Sequence, residues 1–382
     1  MKRIVLKLTA ALITVILLSG CVASAEQSLR EDQDNFFANT DPKYEKLISR
    51  VEKASHSNSY AGSILIAADD EVILYGGPKS LTREGLPADE HTTYDIGSCS
   101  KLFTAAAVFL LIEKGDLSLD LTLDRFFPGY PRGGQITIWH LMHMQSGIPD
   151  YVNDPAGFWV KVDEGDMEEF LLRSYRDEVP DGEFLDNLYA APLIFEPGSA
   201  QSYSNTDYHL LALIIEQVTG MPLDIWLQEN IFDPCGLEHT TAMIAGNETS
   251  VPKVFGDMLA AGMVDENGYT MAPGFERGAG GIHTCVTDLW AFDRALLNGE
   301  LVSETSLEEM KNFDKDYGCG LSPYTGTAYG HSGRDGTYTT ENIIIETESL
   351  GRIYFIASTS TDAGTYGLSA LMRAVFSVFG QF

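Results

Sequence analysis

The chain has 382 residues, 44% of them apolar and 21% charged, with a formal net charge of −30. That composition belongs to a globular protein with enough chain for one large domain or two small ones. Acidity without a basic stripe excludes a nucleic-acid-binding protein, and no internal repeat points to a solenoid.

The N-terminus reads as a targeting segment. "MKRIVLK" is basic, "LTAALITVILL" is apolar, and "SGC" follows directly. The apolar run is short for a bilayer span, so residues 1–20 are expected to be a cleaved export signal. "LSGC", Leu18 to Cys21, resembles the lipobox of bacterial lipoproteins, in which the cysteine is acylated and becomes the mature N-terminus. Two acyl chains on Cys21 would hold the protein stably on the extracytoplasmic face of a bacterial membrane. Loss of the signal, which carries Lys2, Arg3 and Lys7 and no acid, takes the formal charge to −33. Residues 21–41 are polar, mostly acidic and aperiodic, and are expected to be a flexible lipidated tether to a domain spanning 42–382. Cys99, Cys235, Cys285 and Cys319 then remain, with no CxxC and no disulfide framework in their spacing, so their pairing stays open.

Within the domain, residues 41–57 combine an early Pro with helical spacing of Tyr44, Leu47, Ile48 and Val51, which predicts an amphipathic helix. "AGSILIAADDEVILYGG" predicts a hairpin turning at Asp69–Asp70. Leu102 to Ile112 is apolar on nearly every face, the pattern of a helix buried all round, and Lys114 and Gly115 close it. From 116 to 275 the signals are helices and loops, among them "ITIWHLMHM", "TDYHLLALIIEQVTG" and "MPLDIWLQENIF". Residues 151–195 form an irregular, acidic, partly helical insertion. After 276 come short β-rich runs, "YGCGLSP", "AYGHSG", "TYTTENIIIET" and "RIYFIASTS", and a closing helix, "YGLSALMRAVFSVFG". This order predicts an α/β (α+β) fold. One antiparallel sheet is built from both termini (42–97 and 276–382), flanked by helices, with a mainly helical part over 98–275.

Three short patterns carry chemistry. Ser98 and Lys101, i and i+3 at the start of the buried helix, share one face. Burial makes an ammonium costly, so the Lys101 pKa should fall and its neutral amine can accept the serine proton. The helix N-terminus can stabilise an oxyanion. Taken alone, Ser98 equally fits a helix N-cap, and "SVPK" at 250–253 repeats the spacing without an apolar helix behind it. Tyr203 and Asn205 stand between a "PG" turn and a second apolar helix, where a phenol can act as general base and an amide can orient the lysine or a substrate carbonyl. Another Y-x-N, at 151–153, lacks that setting. His331-x-Gly333 lies on an expected strand whose small residues would admit a substrate backbone along the edge.

The ordered set Ser98-x-x-Lys101, Tyr203-x-Asn205, His331-x-Gly333 resembles the serine β-lactamase and penicillin-binding protein superfamily, in its class C β-lactamase-like branch of D,D-peptidases and esterases. "ITIWHLMHMQSGIPDY", "GAGGIHTCVTDLWAFDRALLNG" and "GHSGRDGTY" strengthen the likeness, which runs from about 42 to 382 apart from 151–195. The resemblance implies a β-lactamase/transpeptidase-like fold. Ser98 would be the acylated nucleophile, Lys101 its proton partner, Tyr203 the general base and Asn205 a substrate-orienting group. His331, Ser332, Gly333 and Arg334 would contact substrate, and the backbone N–H groups of Ser98 and Arg334 would form the oxyanion hole.

His331 stands where the family has a lysine. Imidazole is mostly neutral near pH 7, so a substrate carboxylate would be held more weakly and efficient β-lactamase activity is not expected. Arg334 would either supply an anion contact or be a solvated surface group.

No cofactor or metal is expected. His140 and His143 form H-x-x-H without an acidic ligand at zinc spacing. Gly280–Gly281 suits a turn or close packing rather than phosphate binding. Tyr151, Phe158 and Trp159 are either core or substrate-rim groups. The expected protein is a membrane-tethered monomeric serine hydrolase acting on a peptide, ester or β-lactam-like substrate, cell-wall fragments among them. The alternative is a non-catalytic or slowly deacylating penicillin- or peptidoglycan-binding lipoprotein.

Overall fold

Side chains alternate across a strand, so "SILIAA" at 63–68 sends Ile64 and Ile66 to one face and Leu65 and Ala67 to the other. All six residues are buried. Both faces of the sheet are therefore covered, and the computed structural model shows by what. It describes residues 29–31, 36–58, 60–77, 88–174, 179–242, 273–335, 338–360 and 362–380. The expected signal at 1–20, Cys21, most of the tether and the chance motif at 250–253 lie outside the described residues.

The strands are β1 (Leu29–Glu31), β2 (Phe36–Asn39), β3 (Ser63–Ala68), β4 (Glu71–Gly76), β5 (Tyr94–Asp95), β6 (Thr241–Ala242), β7 (Ile282–Thr284), β8 (Ser322–Pro323), β9 (Ala328–Asp335), β10 (Tyr338–Thr347) and β11 (Gly351–Thr359). One antiparallel sheet has the order β1-β2-β4-β3-β11-β10-β9-β8, which joins strands from both ends of the chain as expected. The β3–β4 hairpin turns at Asp69–Asp70, with Asp69 at φ 46. β11 pairs with β3 from Ile353 opposite Ala68 to Ser358 opposite Ser63.

On one face, Ile64, Ile66, Ile343, Ile345 and Phe355 pack under α1 (Glu45–Asn58) and the C-terminal helix Asp362–Phe379. On the other, Leu65, Ala67, Ile344 and Ile356 join a larger core with α2 (Ser100–Lys114). Each Ile, Leu or Phe among them contributes about 1.5–3 kcal/mol on full burial. α2 is buried from Ser100 through Phe109, and Phe103 stacks on Phe292 at 3.8 Å. Gly115, at φ 82, closes α2 in the left-handed conformation that glycine adopts without a Cβ penalty.

The remaining helical part includes α3 (Ile138–Met142), α4 (Pro155–Phe158), α5 (Met167–Ser174), α6 (Asp181–Ala190) and α7 (Asn205–Thr219). Tyr151, Phe158 and Trp159 are core groups, at most 1% exposed, and not a substrate rim. They pack with Phe184 and Phe275, and the Tyr151 hydroxyl donates to Phe275 O at 2.5 Å.

Two features depart from expectation. Phe36–Asn39, assigned to the tether, forms β2: Phe36 and Ala38 are buried and Phe37 stacks on Tyr75 at 4.9 Å. Four residues in a polar stretch are too few to show alternation, and pairing with the edge of β4 is what holds them. The second sheet, β5-β7-β6, was not anticipated, because strands of two or three residues leave no periodic signal. The four cysteines, Cys99, Cys235, Cys285 and Cys319, are unpaired.

Candidate active site

The turn between β5 and α2 carries Ser98. Gly97, at φ 48, starts a 3-10 turn through Cys99, and its N–H donates to Asp95 Oδ1 at 2.7 Å. Neither this turn nor the start of α2 has a side-chain cap bond, so Ser98 is not an N-cap. Its hydroxyl instead meets Lys101 Nζ at 3.0 Å.

Lys101 is fully buried. Its nitrogen also lies 2.8 Å from Asn205 Oδ1 and 2.6 Å from Ala279 O. Desolvation lowers its pKa from 10.5 to about 7, opposed chiefly by the negative charge of Asp150. A neutral amine has two N–H donors and one lone pair. The amide oxygen and the carbonyl can only accept, so they take the two donors and the lone pair is left for the Ser98 hydroxyl.

Tyr203 precedes α7, and the Ser98 side chain near its hydroxyl favours the ionised phenol against burial. Burial raises the phenol pKa, which keeps the proton on oxygen in this state. The Lys101 nitrogen sits 5.0 Å from the centre of the Tyr203 ring. Asn205 opens α7 under the Ser204 cap, whose hydroxyl accepts from Asp207 N at 3.0 Å. The Asn205 amide nitrogen donates to Asp150 Oδ2 at 3.0 Å.

His331 lies on β9, 4% exposed. Its Nδ1 is 2.6 Å from Ser332 O, a pure acceptor, so this nitrogen carries the hydrogen. Nε2 then accepts from the Tyr317 hydroxyl at 3.0 Å. Burial, with Lys101 nearby, lowers the imidazole pKa to about 3. Both ring nitrogens are engaged inside the protein, and the ring is neutral.

Ser332 and Arg334 are exposed and Gly333 is buried against the turn. A Cβ on Gly333 would stand 1.8 Å from Ile96 O and 3.0 Å from Ser98 N. One on Gly97 would stand 2.6 Å from Arg334 N. Only bare backbone allows this approach of β9, near Arg334, to the turn that carries Ser98.

The sequence did not single out Asp150, Glu276, Ala279 or Tyr317; no short motif ties them to Lys101 or His331. Asp95, Glu276 and Asp335 bring carboxylate oxygens within 4.8 Å of one another behind the turn. Burial raises Asp95 to about 6, and burial beside Asp335 and Asp95 raises Glu276 well above its usual range, so Glu276 holds a proton. His140 caps α3 through Thr137, and His143 stacks on Trp139 at 4.1 Å, so H-x-x-H has a structural setting.

Residues 48–374 match the beta-lactamase family. The chain belongs to that family. It is a serine hydrolase of the β-lactamase and penicillin-binding protein superfamily, with the matching fold. A penicillin-binding protein of Bacillus subtilis is 28% identical over 368 residues, covering 89% of this chain and 77% of that one. A putative D-alanyl-D-alanine carboxypeptidase of Escherichia coli K12 is 27% identical over 339 residues, covering 72% and 74%. The crystal structure of a D-stereospecific amidohydrolase from Streptomyces sp. superposes with a TM-score of 0.65 at 25% identity, covering 88% of this chain and 99% of that one.

Gly333→Ala is expected to lower the Ser98 acylation rate by about 10²–10³-fold, the usual cost of losing an oxyanion donor. Acylation followed by intact mass, with a thermal midpoint to establish folding, checks this. A folded variant that acylates at the wild-type rate contradicts the close approach of β9 to the turn.

Proposed function

We propose that this serine hydrolase works through an acyl-enzyme on Ser98, with Lys101 as the base that takes the serine proton. The observation that carries this is the partner set of Lys101, two obligate acceptors and the Ser98 hydroxyl. Tyr203, near Ser98 and protonated, relays that proton to the leaving group, and the Ser98 and Arg334 amides hold the oxyanion. Water then releases the acyl group.

The substrate is a peptide with a D-residue at the cleaved bond, or a related amide or ester. The E. coli relative's name as a D-alanyl-D-alanine carboxypeptidase and the Streptomyces protein's D-stereospecific amidohydrolase activity support that class. A neutral His331 offers no cation to a substrate carboxylate, which argues against efficient β-lactam hydrolysis. The lipobox supports anchoring at Cys21 on the extracytoplasmic face, where cell-wall peptides are met. Cys21→Ser should move the protein from the membrane to the soluble fraction; unchanged membrane retention contradicts the anchor.

Protein starting at residue 22, which keeps β1 and β2, incubated with a penicillin, a fluorophosphonate and a nitrophenyl ester, is expected to gain adduct mass on Ser98 and to turn over the ester. No adduct on the wild type, or the same adduct on Ser98→Ala, contradicts the mechanism. A stable adduct without turnover selects the slowly deacylating penicillin-binding alternative.

A further inference from the structure

Asn205 can serve Lys101 only in one orientation of its amide. With Oδ1 toward the lysine, the amine keeps its lone pair for Ser98. With Nδ2 toward the lysine, an amide N–H would compete with the serine hydroxyl for that lone pair. The two ends of an amide have nearly the same shape, so packing does not choose between them; the partner behind Asn205 does.

That partner is Asp150, in the loop after α3 and 6% exposed. Its Oδ2 accepts from Asn205 N at 3.0 Å and from Asn205 Nδ2 at 3.0 Å, with Oδ1 at 3.3 Å from the same Nδ2. The carboxylate is itself fixed by Val152 N at 2.8 Å, Asn153 N at 3.1 Å and Asn153 Nδ2 at 2.8 Å. Every one of these partners donates, and a carboxylate only accepts, so the group has no alternative polarity to offer. Tyr151 N, one residue on, donates to Thr206 Oγ1 at 3.0 Å, which ties the loop to the first turn of α7.

We infer that Asp150 is the positioning residue of this hydrolase: it fixes the donor–acceptor polarity of the Asn205 amide and thereby aims the Lys101 lone pair at Ser98. It touches neither Ser98 nor a substrate, and it acts through Asn205. It also faces Lys101 as a charge; the other groups around the lysine are Glu276, Cys99, His331 and the rings of Tyr203 and Tyr208 at 5.0 and 5.9 Å. Among the charges that hold the Lys101 pKa up against desolvation, Asp150 has the largest effect. Removing it lets that pKa fall, so more of the lysine is neutral at a given pH. The two effects of the substitution are therefore separable: lost polarity slows acylation, while lost charge moves the acid limb of the rate profile to lower pH.

The test measures Ser98 acylation rates from pH 5 to 9 by intact mass, with thermal midpoints, for wild type, Asp150→Asn, Asn205→Asp and the double variant. Asp150→Asn is expected to acylate about 10²-fold more slowly at the wild-type optimum, the scale of one general-base contribution, with its acid limb displaced downward. In Asn205→Asp two carboxylates face each other with no donor between them. Adding Asp150→Asn restores a donor behind the carboxylate that now accepts from Lys101, so the second substitution should speed acylation. A residue that only supported the loop would make the double variant slower than Asn205→Asp.

Asp150→Asn acylating at the wild-type rate with an unmoved acid limb overturns the inference, as does a double variant slower than Asn205→Asp. Should Asp150→Asn not fold, the comparison of the double variant with Asn205→Asp decides alone. The inference rests on the acyl-Ser98 mechanism. Wild type that takes no Ser98 adduct contradicts that mechanism, whereas labelled wild type with unresponsive variants contradicts this inference alone.

Discussion

The buried nitrogen of Lys101 is the constraint around which the rest is arranged. An amine taken wholly out of water must find partners, and here it finds Ser98, Asn205 and Ala279, one from each of three separate chain segments. The 3-10 turn ahead of α2, the start of α7 and the segment leading into β7 must all converge on one atom. Burial also has a thermodynamic consequence. The folded pKa is about 7 against 10.5 for the free side chain. Between those values the unfolded chain binds more protons, so stability rises with pH across the window and is lowest below it. The site thus costs the fold stability at neutral pH, which two packed cores offset.

A second constraint is the approach of β9 to the catalytic turn. Gly97 and Gly333 remove the Cβ atoms that would hold the two backbones apart, so β9 and the turn that carries Ser98 lie in close backbone contact. His331 then acts through the protein interior. It engages the backbone of its own strand through Nδ1 and the Tyr317 hydroxyl through Nε2, while Tyr317 meets the Tyr203 ring edge to face at 6.3 Å. The His331 ring is thus a neutral brace behind the aromatic wall.

Much of this was legible in the sequence because it is local or periodic. The i, i+3 spacing of Ser98 and Lys101, the apolar run of α2, the Asp69–Asp70 hairpin and the order of the three motifs all survive as short strings. What was not legible depends on partners far apart in the chain. Asp150 lies 55 residues from Asn205, and Glu276 and Ala279 reach Lys101 from the far side of the helical part. The state of His331 is set by a tyrosine 14 residues upstream and by burial that no motif encodes. β2 and the three-stranded sheet were missed because strands of two to four residues have too little length for alternation to show. The aromatics of 151–195 were ambiguous for a different reason: composition cannot say whether a ring faces a cleft or a core.

The central claim is that Lys101 is available as a neutral base near physiological pH. The direct measurement is an NMR titration of protein labelled at the lysine ε-carbon, with the Lys101 resonance assigned by its loss in Lys101→Arg. The account predicts a midpoint near 7, well separated from the surface lysines. A Lys101 signal that stays in the charged form to pH 9 and above would contradict it.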